Sequence, residues 1–226
     1  MTHMKNQRTR IKLCGLTRAE DVKLAVELGT DALGFVFYPP SPRAVDAKQA
    51  AQLLTLLPPF VSAVGLFVNA SVAEVRQTLA IAPISILQFH GDETLEQCCA
   101  IAHEVQRPFL RALRVKPDMK SADLLECEQQ YRTASPYFSG LLLDTWVDSY
   151  GGSGKVFDWS LIPAELAHRA VLSGGLNVQN VTEAVTSVRP FAVDVSSGIE
   201  SAKGIKDAAL MHAFVSAVRA GDSQIK

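Results

Sequence analysis

The chain has 226 residues, 48% hydrophobic and 20% charged, enough for one large α/β domain or two small ones around a sizeable core. Its 22 basic and 23 acidic residues leave a net charge of −1, so no general field favours nucleic acid or an anionic membrane, and an anionic ligand must be held by local groups. No run approaches the roughly 18 apolar residues that span a bilayer. The four cysteines, Cys14, Cys98, Cys99 and Cys127, form neither a C-x-x-C pair nor a zinc-like Cys/His spacing, which predicts a reducing cytoplasm and no metal.

Residues 1–9 are polar and basic with no apolar segment of a secretory signal, and they read as a mobile leader to a single domain over 10–226. Eight short apolar runs follow: IKL at 11–13, ALGFVF at 32–37, SAVGLF at 62–67, ISILQF at 84–89, PFLRALRV at 108–115, GLLLD at 140–144, AVLS at 170–173 and AVDVS at 192–196. Between them lie stretches with apolar residues at helical spacing, including 18–29, 46–57, 71–82, 93–105, 121–132, 177–188 and 205–218. Strand and helix alternating throughout imply parallel strands, right-handed crossovers and a sheet covered on both faces. Eight units of roughly 28 residues fit a closed (β/α)8 TIM barrel, whereas an open doubly wound sheet would carry a G-x-G-x-x-G turn where this chain has CGLTRAED.

In such a barrel the active site forms at the C-terminal strand ends, and these are polar here. Strand one ends in Cys14-Gly15, strand two leads into YPPSPRAV, strand four into QFHGDE, strand six into DTWVDSYGGSGKVFDW, strand seven into SGGLN and strand eight into DVSSGIE. Gly174-Gly175 before a helix opened by Asn177, and Ser196-Ser197-Gly198 before a short helical turn, read as anion cradles. Glycine lets backbone N–H groups approach a phosphate, and helix starts and serine hydroxyls add donors. The expected ligand is a phosphorylated small molecule.

Taken together in this order, KLCGLT, the SPRAV loop, LQFHGDE, LLLDT with GGSGKVFDW, LSGGL and DVSSGIE resemble the phosphoribosylanthranilate isomerase family of tryptophan biosynthesis, over about Arg10–Gly204. Departures such as Leu13, Leu16, Phe89 and Ser153 are conservative. The resemblance implies a cofactor-free barrel enzyme that converts N-(5-phosphoribosyl)anthranilate into 1-(o-carboxyphenylamino)-1-deoxyribulose 5-phosphate. It assigns the base to Cys14 and the acid to Asp144.

That chemistry needs one acid, to protonate the furanose oxygen, and one base, to remove the proton at sugar C2. A free thiol is only a few per cent ionised at pH 7 and an ordinary aspartate almost wholly so; the two groups are therefore expected to be shifted in opposite senses. Arg43 suits the anthranilate carboxylate through a bidentate fork. His90, Gly174, Gly175, Asp194, Ser196, Ser197 and Gly198 complete the expected substrate-binding set, with His90 equally readable as a structural hydrogen-bonding residue. Asp158 reads as a helix cap. The GGSGK stretch at 151–155 lacks P-loop spacing and reads as a loop covering substrate. The competing readings are another phosphosugar barrel enzyme and a non-catalytic barrel that binds a phosphorylated metabolite. A monomer is the first expectation for assembly and a dimer the alternative.

Period-two alternation makes one further demand. Lys12 shares a strand face with Cys14, and Asp194 shares one with Ala192 and Ser196, so both charges point into the barrel. Closure sets strand eight beside strand one, and the two are expected to pair beneath the phosphate loops, biasing Cys14 toward its thiolate.

Overall fold

The computed structural model describes residues 8–145 and 156–225. Eight parallel strands close into a barrel in sequence order: β1 (Arg10–Cys14), β2 (Ala32–Val36), β3 (Ser62–Phe67), β4 (Ile86–Phe89), β5 (Phe109–Val115), β6 (Phe138–Thr145), β7 (Val171–Leu172) and β8 (Ala192–Val195). The helices outside are α1 (Ala19–Glu27), α2 (Ala47–Leu54), α3 (Val72–Ile81), α4 (Leu95–Val105), α5 (Ser121–Ala134), the four-residue α6 (Ala164–Ala167), α7 (Val181–Val188) and α8 (Ala208–Gln224). Ser71 and Thr94 start α3 and α4 with capping boxes completed by Glu74 and Gln97, while Asp46 and Asp207 cap α2 and α8.

The strand pleat separates two cores. One face of each strand, represented by Ile11, Leu13, Leu33, Phe35, Phe89 and Leu143, packs under the helices in a single continuous cluster. The other face fills the barrel interior with a small cluster of Ala112, Leu142, Val171 and Ala192, with Leu110 against it. Asp144 lies two residues beyond Leu142 and Asp194 two beyond Ala192, so the apolar floor and the polar mouth belong to the same inward faces.

Two details depart from the expected elements. Helix α7 begins at Val181, because Asn177 closes a preceding turn through Gln179 N–H to its own Oδ1 (2.9 Å) instead of opening the helix. A small antiparallel hairpin, β9 (Glu200–Ala202) with β10 (Ile205–Lys206), occupies the loop after β8 and leaves the following helix to start at Ala208. Of the expected leader, residues 1–7 lie outside the described residues; Arg8 pairs with Asp31, and the Thr9 N–H donates to Asp222. The 151–155 loop also lies outside them. Asp158 does cap, accepting from Ser160 N–H at 2.9 Å before a 3-10 turn at Trp159–Leu161.

Strand β1 pairs with β8 in the register that sets Lys12 opposite Asp194. Their side chains, 4% and 6% exposed, form an ion pair with Nζ to Oδ1 at 2.7 Å. Asp194 Oδ2 accepts from the Ser173 hydroxyl at 3.1 Å, so both carboxylate oxygens are satisfied inside the barrel. Burial disfavours the Lys12 ammonium, but attraction to Asp194 and Cys14 outweighs it and holds the Lys12 pKa above the ordinary lysine value.

Removing one partner should strand a buried charge, so Lys12→Met or Asp194→Leu alone should each cost about 3–5 kcal/mol. The double variant should recover part of the loss, with a coupling of roughly 0.5–3 kcal/mol in denaturant unfolding; simple additivity would show that the pair contributes no interaction of its own.

Candidate active site

A cavity of about 350 Å³ opens at the C-terminal ends of the strands. Cys14, the last residue of β1, and Asp144, the penultimate residue of β6, both line it. The arc between them is formed by the loops after β7 and β8, through Gly174, Gly175, Ser196 and Ser197. Cys14 is buried and stands opposite Gly34 of β2 in the sheet register. A Cβ on Gly34 would lie 2.6 Å from Cys14 Sγ and 3.1 Å from its Cα, so the thiol has its position only because β2 carries no side chain there.

The loops after β7 and β8 have the local form that an anion cradle needs. Gly174 and Gly175 both take positive φ, 79° and 70°. Gly174 also lies so close to β6 that a Cβ would meet Thr145 N at 2.3 Å and Asp144 Oδ1 at 2.6 Å. Gly198 packs against the Leu176 carbonyl with no room for a side chain, which holds the two loops together. Among the described residues, the backbone N–H groups of Gly174, Gly175 and Ser197 donate to no backbone acceptor outside regular elements, leaving them available to an anion.

On the Asp144 flank, Oδ1 accepts from the Thr145 N–H at 2.8 Å, and His90 Nε2 stands 3.0 Å from Oδ2. The other ring nitrogen, Nδ1, lies 2.8 Å from the Gln88 side-chain amide nitrogen. With that amide nitrogen donating, Nδ1 is placed to accept and Nε2 to carry the ring hydrogen toward Asp144. His90 therefore serves the acid candidate while lining the cavity.

On the Cys14 flank, burial pushes the thiol pKa up; Lys12 and Lys206 pull it down, and Asp194 adds to the rise. The net direction is upward, opposite to the expected lowering. Enclosure by the barrel outweighs the nearby ammonium groups, one of which is already committed to Asp194. Asp194, expected to touch substrate, reaches the cavity wall but spends both oxygens on Lys12 and Ser173.

Arg43 also differs from expectation. Its Nε and Nη2 are engaged in a bidentate pair with Glu200, both at 2.7 Å, so that side of the fork faces a protein carboxylate and the Nη1 edge, with the second Nη2 hydrogen, is what remains for a ligand. Glu200 is held in turn by Lys206, whose fully buried Nζ also donates to the Ser196 carbonyl at 3.0 Å. Burial opposes the Glu200 carboxylate, yet the Arg43 and Lys206 hydrogen bonds outweigh it and hold its pKa below the usual range. Glu200 and Lys206 were not singled out from the sequence, since DVSSGIE reads as a loop and KGIKD as a helix start; only a charge count around the folded loop identifies them. Gln88 was likewise passed over, although a glutamine in an otherwise apolar strand was a visible signal. Among the described residues no group of three or more His, Cys, Asp and Glu side chains converges as a metal site.

Comparison with known proteins matches residues 11–217 to the family model described as N-(5'phosphoribosyl)anthranilate (PRA) isomerase. The N-(5'-phosphoribosyl)anthranilate isomerase of Herminiimonas arsenicoxydans is 64% identical over 219 residues, covering 97% of this chain and 96% of that protein. The one from Ralstonia nicotianae is 55% identical, with 96% of each chain covered. Among solved structures, phosphoribosyl anthranilate isomerase from Thermotoga maritima superposes with a TM-score of 0.81 at 41% identity, covering 93% of this chain and 98% of that one. A phosphoribosyl anthranilate isomerase in complex with reduced 1-(o-carboxyphenylamino)-1-deoxyribulose 5-phosphate reaches 0.78 at 38% identity, with the same coverage of both chains. A closed eight-stranded barrel, a cysteine and an aspartate on one cavity, and this likeness along nearly the whole chain agree: the chain belongs to the N-(5'-phosphoribosyl)anthranilate isomerase family.

Proposed function

We propose that Cys14 and Asp144 act as base and acid in the Amadori rearrangement of N-(5-phosphoribosyl)anthranilate to 1-(o-carboxyphenylamino)-1-deoxyribulose 5-phosphate. The observation that carries this reading is their placement in one cavity, at the ends of β1 and β6, with the two glycine- and serine-bearing loops between them. A sugar whose phosphate sits on those loops has one reacting group on each flank. The aryl end then extends toward β2–β4, where the Nη1 edge of Arg43 can meet the anthranilate carboxylate.

Asp144 gives its proton to the ring oxygen as the C1–O bond breaks, and the anilino nitrogen lone pair forms the C1=N bond of an iminium. The carboxylate left behind is held by the Thr145 N–H and by His90 Nε2–H. Cys14, as the thiolate left once its own proton has passed to solvent, then takes the C2 proton, and the electrons of that C–H bond form C1=C2 and neutralise the iminium nitrogen. The result is the enolamine, which tautomerises to the ketose. A buried thiol ionises reluctantly, but the thiolate it forms is correspondingly basic, and the iminium cation beside it lowers the cost of charging it.

All these residues come from one chain, so a monomer contains a complete site. The cytoplasm is the proposed compartment, supported by four unpaired cysteines. Among the described residues no helix is long and apolar enough to cross a membrane.

The direct test is the loss of anthranilate fluorescence on adding N-(5-phosphoribosyl)anthranilate to the purified protein. Cys14→Ala and Asp144→Asn should each lower kcat by about 10²–10⁴-fold with much smaller changes in KM, and Cys14→Ser should stay poor. Near-normal turnover by any of these would remove that residue from its role. Arg43→Ala should raise KM for the substrate, by roughly 10- to 100-fold for a charged contact worth about 1.5–3 kcal/mol, and should discriminate far less against product analogues without the carboxylate.

The raised thiol sets a pH expectation. Only the thiolate reacts with iodoacetamide, so Cys14 labelling in the free enzyme, followed by peptide mass spectrometry, should climb with pH and reach half its maximum above the ordinary cysteine range. A midpoint at or below neutrality would mean that the lysines prevail over burial.

A further inference from the structure

We propose that Gln88 is a positioning residue that keeps His90 neutral and in its Nε2–H tautomer, so that the ring donates to Asp144 and takes no proton from it. The proposal rests on the reading of Asp144 as the acid. Gln88 is fully buried on the inward face of β4, between Leu66 of β3 and Leu110 of β5 in the sheet register. Its Oε1 is buried and has no hydrogen-bond partner among the described residues. A buried carbonyl left unsatisfied is a standing loss of stability that leucine or methionine would avoid, so packing does not explain a glutamine here. What the amide does provide is the 2.8 Å contact from Nε2 to His90 Nδ1.

That contact has a definite consequence for the proton on Asp144. With an N–H aimed at Nδ1, a hydrogen on Nδ1 is disfavoured, which excludes both the imidazolium and the Nδ1–H tautomer. In either of those forms Nε2 could exchange a proton with Asp144 Oδ2, 3.0 Å away, and the proton needed by the ring oxygen would be shared with the imidazole. Turning the amide over would permit them, but it would put an NH2 group with two unmet hydrogens where one carbonyl oxygen now lies. With His90 fixed as a donor, the Asp144 proton is free for the substrate, and the carboxylate it leaves is met by an N–H at once. Among the described residues, the other titratable or charged groups on the same cavity are Cys14 from β1, Tyr38 and Arg43 after β2, Arg114 from β5 and Asp194 from β8. Arg114 is engaged by Asp92, and Asp194 by Lys12.

The test is 15N NMR of imidazole-labelled protein at neutral pH, with His90 assigned among the five histidines by its loss in His90→Gln. Wild type should show a protonated, pyrrole-type Nε2 and an unprotonated, pyridine-type Nδ1. Gln88→Leu should give a mixture of tautomers, and Gln88→Glu, with an acceptor facing the ring, should protonate Nδ1. Turnover should follow: kcat down roughly 10- to 100-fold in Gln88→Leu, the range for loss of an outer partner that orients a reacting group, with KM within about twofold, and lower still in Gln88→Glu. Thermal stability of Gln88→Leu should match or exceed wild type; Gln88→Met, unbranched and closer in length, takes its place if leucine does not pack. A wild-type ring protonated on Nδ1, or wild-type kcat in folded Gln88→Leu or Gln88→Met, overturns the proposal. Undiminished turnover by Asp144→Asn would instead overturn the assignment of the acid and leave the tautomer result standing.

Discussion

The ion pair between Lys12 and Asp194 joins the first and last strands of the barrel, and the site stands on it. It occupies the seam where the sheet closes on itself, in the layer just below the Cys14 thiol. Two charges taken out of water need each other and further hydrogen bonds, and the Ser173 hydroxyl on Asp194 Oδ2 provides one from β7. Three consecutive strands around the phosphate side are thus linked by one polar group. The same ammonium faces Cys14 and favours its thiolate, while burial works against ionisation and prevails in the resting protein. In the proposed reaction, that balance would suit a base needed only after the ring has opened, when a cation on the substrate lies beside it.

Around this seam the two flanks are built differently. The Cys14 flank is a relay of charges across loops, Arg43 to Glu200 to Lys206 to the Ser196 carbonyl, tying the loop after β2 to the loop after β8. The loop that would read the aromatic acid and the loop that would hold the phosphate are thereby one rigid wall. The Asp144 flank is a chain of hydrogen bonds from Gln88 through His90. In the proposed reaction, fixed charge would suit the side that binds anions, and an uncharged donor the side that releases a proton.

The architecture was legible because strand, helix and strand recur with little interruption, and because a period of two decides which residues face inward. That rule put Lys12 and Asp194 inside the barrel, and closure of strand eight on strand one brought them together. It could not show that Arg43 would be shared with Glu200, nor that Lys206 would back the loop after β8, because both contacts depend on a short hairpin, Glu200–Lys206, that carries no periodic signal. Gly34 reads as an ordinary strand glycine until the register sets it under the thiol. The direction of the Cys14 shift escaped for a related reason: sequence shows which cations are near a residue in the chain, but not how much water the finished barrel removes.

The central claim is that one sugar phosphate lies between Cys14 and Asp144 with its phosphate on the two loops that separate them. A crystal structure of this protein with reduced 1-(o-carboxyphenylamino)-1-deoxyribulose 5-phosphate bound tests it most directly. The phosphate is expected on the N–H groups of Gly174, Gly175 and Ser197, with Cys14 Sγ about 3–4 Å from C2 and Asp144 within hydrogen-bond reach of the oxygen on C4, the former ring oxygen. A phosphate bound away from those loops, or a C2 atom facing Asp144 instead of Cys14, would contradict the account.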